Sequence, residues 1–218
     1  MDRLIAKYFS ASDFKKIEDA VREAEKKTSG EIVPYVVARS DDYDEAEWRG
    51  GFFLGAVTLV ILDLLYEFSA SWIPATPTVM GLAALLAGAA GFLLVKFVPA
   101  LKRVLSGSAQ IERRVAQRAS EAFLAEEVFR TRDRTGILLF ISLMEHRVVV
   151  LGDAGINTRV EESAWSDLVH RIVQGIRDGR AAEGLLSAIH ECGDLLATHG
   201  VTILADDKNE LPNTLRRG

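Results

Sequence analysis

Two long apolar runs dominate the pattern of hydrophobic and polar residues along the chain. Both lie within Phe52–Val98, and the segment Tyr66–Pro77 separates them. The second run, Thr78–Val98, has 21 residues, and Lys96 is its only charged residue. As a helix it would be about 31 Å long, which matches the ~30 Å hydrocarbon core of a bilayer. This run therefore predicts a transmembrane helix, with Lys96 near one end, where its side chain can reach the interface.

The first run contains Asp63 and Glu67 near its far end, and it is otherwise apolar. It is still long enough to span a bilayer. We therefore expect a transmembrane helical hairpin over residues 50–103, with helices at about 50–68 and 78–98. The alternative is a buried helical pair inside a larger soluble core. We favour the membrane, because a run as long and uncharged as the second one is uncommon in soluble domains.

Several residues are expected to have roles in the membrane. Trp72 would lie at the outer interface. Asp63 is either a functional residue, as intramembrane acids usually are, or a residue solvated near that interface. Small residues would let the helices pack closely; the same surface could form a homodimer, and we prefer packing within the chain. The residues assigned to the membrane segment are Phe52, Gly55, Asp63, Trp72, Gly88, Gly91 and Lys96.

The distribution of Lys and Arg predicts the orientation of the hairpin. The loop Glu67–Pro77 has neither residue, whereas the outer flanks carry Arg49, Lys102 and Arg103. By the positive-inside rule, both flanks are cytoplasmic and the loop is outside. The single cysteine, Cys192, fits a reducing compartment. We therefore expect an integral protein of the cell inner membrane with its soluble domain on the cytoplasmic side.

Outside the hairpin, segments with helical periodicity alternate with short apolar runs. Glu31–Ala38 predicts a strand, and Pro34 within it indicates an edge strand or a free side at that point. Gly136–Leu143 is continuously apolar, as in a central strand buried on both faces. The other expected elements are helices at about 12–27, at 109–130, from Thr158 and at 181–198, a strand at 147–151 and a short last strand at 201–204.

This order of elements predicts an α/β fold. We expect an α/β/α sandwich with a mixed sheet of about four strands, interrupted by the inserted two-helix transmembrane hairpin. Residues 1–49 and 104–205 would form one discontinuous domain, because the first strand needs the sheet made by the later ones. Residues 206–218 would be a polar tail. The net charge of −5 gives no reason to expect nucleic-acid binding, which favours basic surfaces.

Three acidic residues are candidates for a metal site. Asp153 follows a strand and precedes a helix, and ligands bind at such positions in α/β folds. With Asp133 and Glu31 it could offer oxygen ligands to Ca²⁺ or Mg²⁺. The alternative is that Asp153 is a turn residue bonded to its own backbone. We favour that alternative, because the three acids lack EF-hand spacing. No local signature of a catalytic nucleophile is present, so no catalytic residue is assigned.

The order and spacing of five segments resemble the TPM domain family. They are Lys27–Val33, Thr135–Phe140, Arg147–Val150, Asp153–Ile156 and Asn209–Pro212. The family includes thylakoid acid-phosphatase-like proteins and many bacterial membrane-anchored proteins. The resemblance implies that acids at this end of the sheet are associated with calcium or with weak acid-phosphatase activity. The chain departs from the family by having Arg134 where an Asp is frequent and Asp153 where the loop has its first glycine.

We therefore expect a membrane-tethered cytoplasmic TPM-like domain that acts as a non-enzymatic interaction or assembly module. Its partners would be the lipid bilayer and either a membrane protein or a second copy of the chain. One alternative is a divalent-metal-dependent, acid-phosphatase-like hydrolase of phosphomonoesters. The other is a calcium-binding module without catalysis.

Overall fold

Three strands of the sheet lie where the apolar runs predict them, and helices flank the sheet. The computed structural model describes residues 3–69, 76–203 and 209–218. The strands within these ranges are β1 (Glu31–Val37), β2 (Gly136–Ser142), β3 (Arg147–Gly152) and β4 (Arg216–Arg217). The α-helices are α1 (Arg3–Tyr8), α2 (Ala11–Glu25), α3 (Asp44–Ser69), α4 (Pro77–Phe97), α5 (Pro99–Ser106), α6 (Ser108–Ala125), α7 (Ala154–Asn157), α8 (Ser166–Arg177) and α9 (Ala181–Thr198).

The four strands lie in the order β3-β2-β1-β4. β1 runs parallel to β2 and to β4, whereas β2 and β3 are antiparallel, so the sheet is mixed as predicted. Pro34 is in an inner strand, but β4 pairs only with Tyr35 and Val36. The Val36 carbonyl accepts the Gly218 N–H on that side (3.3 Å). In a parallel strand, successive residues bond to the two neighbouring strands in alternation, so Pro34, like Val36, faces β4. Pro34 lies just before the residues that pair with β4, so the strand needs no N–H donor at that position.

Three expectations about the second half of the chain are corrected. The described residues 201–203 form no strand, because the Val201 carbonyl instead accepts the Thr28 hydroxyl (2.6 Å). The fourth strand lies in the segment expected to be a polar tail. The helix expected from Thr158 begins only at Ser166, since the short α7 and a 3-10 helix, Glu162–Trp165, precede it.

Both faces of the sheet are buried, which makes three layers. One face, with Ile32 and Leu139, belongs to a core shared with α1, α2, α8 and α9. The opposite face carries Tyr35 and Phe140, whose rings stack with centroids 5.7 Å apart. Helix α6 covers that face: its Val115 and Ala119 are buried, and its Glu112 pairs with Arg147 of β3 (3.2 Å). The α/β fold class is therefore confirmed.

The chain divides into two compact units. One is formed by residues 1–40 together with 112–218 and contains the sheet. The other, residues 41–111, contains α3, α4 and α5. The sheet unit thus combines segments from both sides of the helical insertion, as β1 and β2 require by pairing in parallel.

Candidate functional site

Asp153 lies where β3 ends, and it caps α7. Its Oδ1 accepts the N–H of Ala154 (2.8 Å). Arg134 approaches the same carboxylate, with Nε 2.6 Å from Oδ2 and Nη2 3.0 Å from Oδ1. Because Asp153 is only 6% exposed, this guanidinium supplies the compensating charge that a buried carboxylate needs. Asp153 is thus a turn residue whose carboxylate bonds to the nearby backbone, as the alternative to a metal ligand predicts. It also forms an ion pair with Arg134.

The backbone around this ion pair is tightly packed. Arg134 has φ of +56°, in the left-handed region, and its guanidinium lies 5.7 Å from the centroid of the Phe129 ring. The Gly155 N–H donates to the Arg134 carbonyl (2.9 Å). A Cβ at Gly155 would lie 2.8 Å from that carbonyl oxygen, so glycine is required for the close approach. The loop therefore holds Arg134 in place over Asp153.

The other two predicted ligands lie in different surroundings. Glu31, at the start of β1, is buried, and its two carboxylate oxygens accept the N–H groups of Glu210 (2.9 Å) and Leu211 (3.3 Å). Asp133 is exposed and pairs with Arg132 across 3.4 Å. The structure thus shows a different partner for each acid.

No metal-binding group is assembled in the part of the chain that the structure describes. Within it, no three His, Cys, Asp or Glu side chains form a group that could hold a metal ion. Asp153, Asp133 and Glu31, the candidate ligands for Ca²⁺ or Mg²⁺, are not brought together as such a group. Cys192 is fully buried, and burial raises the pKa of its thiol, which keeps it protonated. It is therefore a structural residue.

The C-terminal segment 209–218, which we call the tail strap, is held along β1 by carboxylates. Glu25 accepts the Ile32 N–H (2.9 Å) and the side-chain amide of Asn213. Burial raises the pKa of Glu25 from 4.5 to about 8, and the nearby Glu31 carboxylate adds to this effect. At the far end of the tail strap, Arg216 pairs with Glu126 (3.0 Å). The sequence analysis missed this role of the tail, because acids distant in sequence create it.

A buried polar cluster closes the carboxyl ends of β1 and β2. Glu145 is 3% exposed, and its carboxylate accepts the Ser142 hydroxyl (2.5 Å) and the Ser40 N–H (2.7 Å). The two serine hydroxyls also bond to each other (2.8 Å). These bonds satisfy polar groups that end two adjacent strands, so the cluster fixes the strand ends. The only sequence signal for it is a pair of polar residues after an apolar run.

The hairpin helices expose large apolar side chains. Phe52 is 81% exposed, Phe97 is 74% exposed and Leu85 is 73% exposed. Asp44–Phe68 and Pro77–Phe97 are each long and apolar enough to cross a membrane. The core helices of a soluble protein would bury such residues, so the exposure argues against the alternative of a buried helical pair.

The small residues of the hairpin lie between its two helices. A Cβ added to Gly55 would lie 3.1 Å from the Ala84 carbonyl, and one added to Gly88 would lie 3.2 Å from the Gly51 carbonyl. A Cβ added to Gly91 would lie closer still to the Gly50 carbonyl oxygen, at 2.6 Å. These contacts correspond to the expected packing within the chain.

The remaining predicted membrane residues lie near the helix ends or outside the described residues. Asp63 is exposed six residues before the end of α3. The Lys96 ammonium lies 5.9 Å from the centroid of the Phe92 ring at the end of α4. Trp72 falls outside the residues that the structure describes.

The base of the hairpin contains a buried ion pair. The Lys102 ammonium of α5 lies 2.6 Å from a Glu47 carboxylate oxygen of α3, and each side chain is 7% exposed. Lys102 also donates to the Asp42 carbonyl (2.8 Å). Nearby, Arg49 donates to the Leu105 carbonyl (2.9 Å). These bonds attach α5 to the start of α3.

The fold and hairpin define an α/β protein with two candidate membrane-spanning helices. Residues 97–195 match the family model of the TPM domain, and this match confirms the resemblance seen in the sequence. The NMR structure of the BA42 protein from the psychrophilic bacterium Bizionia argentinensis has a similar fold. Its TM-score is 0.58 at 22% identity, over 97% of this chain and 96% of that chain. No protein with a curated description matches.

Proposed function

We propose that this chain is an integral membrane protein whose TPM domain acts as a non-enzymatic interaction or assembly module. The observation that carries the proposal is the exposed apolar surface of α3 and α4. Large apolar side chains such as Phe52 and Leu85 face outward on helices long enough to span a bilayer. Lipid acyl chains are the environment in which such a surface is stable.

The proposed location is the cell inner membrane, with the soluble domain on the cytoplasmic side. The basic residues Arg49, Lys96, Lys102 and Arg103 all flank the same end of the hairpin in sequence, and the loop Glu67–Pro77 has none. The positive-inside rule assigns that end to the cytoplasm.

An interaction role is supported by the structural roles of the buried acidic residues. Asp153, Glu31, Glu25 and Glu145 each bond to groups of the chain itself and so stabilise loops, strand ends and the tail strap. The proposed partner is a membrane protein or a second copy of this chain, which the hairpin would hold in the same plane.

Topology mapping tests the membrane part of the proposal. One reporter is fused into the loop between α3 and α4, and another follows Gly218. We expect the loop reporter to be active only outside the cytoplasm and the C-terminal reporter only inside. The reverse pattern would overturn the assigned side, and release of the protein from membranes by alkaline carbonate would overturn membrane insertion.

Cross-linking in intact membranes tests the interaction part. A short amine-reactive reagent is applied before solubilisation, and the mass of the purified product is measured. We expect a product heavier than the 23.9 kDa chain, because a partner or a second copy would be captured. Recovery of the 23.9 kDa monomer alone, over a range of reagent concentrations, would contradict the proposal.

A further inference from the structure

An apolar groove runs along the outer face of α3. It has a volume of about 500 Å³, and Phe52, Phe53, Ala56 and Ile61 line it together with Leu105 of α5. Arg49 is the one charged side chain among the described residues that line it. The groove is therefore apolar along its length and has one cation, Arg49, at its end.

The length of the groove corresponds to one leaflet of a bilayer. Arg49 and Ile61 are twelve residues apart on a continuous helix, which is about 18 Å at 1.5 Å per residue. Half of a ~30 Å hydrocarbon core is about 15 Å. If α3 spans the membrane, Arg49 lies at headgroup level, because the apolar run begins at the next residue.

Arg49 is held by the backbone of the groove wall. Its Nη1 donates to the Leu105 carbonyl (2.9 Å), which fixes the guanidinium at the end of the groove. A guanidinium has five N–H donors in one plane, and that bond uses one of them. A phosphate group is the anion whose geometry suits the remaining donors, since it can accept two parallel hydrogen bonds from arginine.

The wall of the groove is itself anchored. Leu105 belongs to α5, which the buried Glu47–Lys102 ion pair attaches to the start of α3. Breaking that ion pair would leave a charge without its partner in a buried place, so α5 is not easily displaced. The groove is thus a built feature of this unit.

We propose that this groove binds one phospholipid, with the phosphate at Arg49 and one acyl chain along α3. This inference rests on the proposed membrane insertion. The ligand chemistry that the groove suits is an anionic phosphate attached to an apolar chain. A lipid with net negative charge is therefore favoured over a zwitterionic one. Neither a soluble phosphate nor a partner helix would use both the cation and the one-leaflet length.

Native mass spectrometry of the full chain, released from mild detergent, tests the proposal. Phosphatidylglycerol is the probe, and phosphatidylcholine with the same acyl chains is the comparison. Arg49→Gln removes the cation, and Ala56→Trp fills the groove while leaving Arg49 in place. Lys96→Gln is the matched control, because it removes one positive charge near the same end of the hairpin from a residue that packs on Phe92 outside the groove.

We expect wild type and Lys96→Gln to retain one phosphatidylglycerol, with weaker retention of phosphatidylcholine. Retention should fall about tenfold in Arg49→Gln, since charge-assisted hydrogen bonds to phosphate are lost, and also in Ala56→Trp. Equal retention by wild type and Arg49→Gln would overturn the lipid site, whatever the behaviour of the other variant. Each protein is also tested for resistance to alkaline carbonate. Release of the wild type would contradict membrane insertion, whereas stable insertion with Arg49-independent retention would contradict only the lipid site.

Discussion

Arg134 Nε lies 2.6 Å from the buried carboxylate of Asp153, although the two residues are nineteen positions apart. The arginine is half exposed, whereas the aspartate is buried. This pair therefore gives Asp153 a positive partner from within the chain. It also brings the loop before β2 next to the start of α7, which orders that end of the sheet.

A double-mutant cycle measures this coupling. Arg134→Gln should lower the free energy of unfolding by about 1–2 kcal/mol, less than for a fully buried pair because the arginine is exposed on one side. That corresponds to a fall of roughly 3–6 °C in melting temperature, followed by circular dichroism of the full chain in detergent. Asp153→Asn should cost a similar amount, and the double variant should cost little more than either. Additive losses would mean that the two side chains do not stabilise each other.

Calcium should have little effect on the wild-type protein. Arg134 already neutralises Asp153, and the structure does not bring the carboxylates of Glu31 and Asp133 to the same place. We expect millimolar Ca²⁺ or Mg²⁺ to leave the melting temperature unchanged, since a ligand that binds only the folded state would raise it. A rise of several degrees in the wild type that Asp153→Asn abolishes would instead support a metal site there.

The sequence predicts the fold well wherever the apolar pattern is long. Gly136–Ile141 is continuously apolar and makes up most of the buried inner strand β2. The two hairpin helices are likewise defined by their own residues. β4 could not be predicted in this way, because Arg216 and Arg217 are charged and pair with β1 only where the tail strap is held. The tail strap is held by Glu25 and Glu31, which precede it in the sequence by almost two hundred residues.

The candidate site was harder to predict than the fold. Asp153 was identified as a residue between a strand and a helix, and the structure confirms that position. What the sequence does not indicate is its partner, because Arg134 reaches it only after its own loop adopts a left-handed backbone. The buried Glu145 cluster was missed for the same reason: its bonds to Ser40 and Ser142 depend on the alignment of β1 with β2.

The tail strap should make stability fall as pH rises. The pKa of Glu25 is about 8 in the folded protein and 4.5 in an unperturbed carboxyl, so the folded state binds more protons between these values. The contribution of Glu25 to the free energy of unfolding is therefore largest below pH 4.5 and is lost as pH rises towards 8. Glu25→Gln removes this titration, so its melting temperature should fall less between pH 5 and pH 8 than that of the wild type.

A surface glutamate on the same helix provides the control. Glu18 pairs with Arg22 in solvent, so Glu18→Gln should follow the wild-type pH profile. Melting curves of all three proteins at the same series of pH values make the comparison. If Glu25→Gln kept the full wild-type dependence, another group would be responsible for it.

The buried pair of Glu47 and Lys102 should be essential to the base of the hairpin. Lys102→Met leaves the Glu47 carboxylate buried without its cation, which should cost about 3–5 kcal/mol. Replacing both residues by leucine removes the charge together with its partner, so the double variant should regain most of the loss. Melting in detergent measures both effects. A single variant as stable as the wild type would show that the pair is solvated in the protein.

The close approach of α3 and α4 should depend on Gly91. A Cβ at this position would lie 2.6 Å from the Gly50 carbonyl oxygen and 2.9 Å from the Cβ of Leu54, so the helices must move apart in Gly91→Ala. Overpacking of this kind costs about 1–3 kcal/mol, which should appear as a lower melting temperature in detergent. Gly81→Ala is the matched control on the same helix, because a Cβ at Gly81 meets no atom within 4 Å. It should be neutral or slightly stabilising, since alanine has the higher helix propensity. Equal effects of the two substitutions would mean that helix propensity, and not the contact between α3 and α4, determines the result.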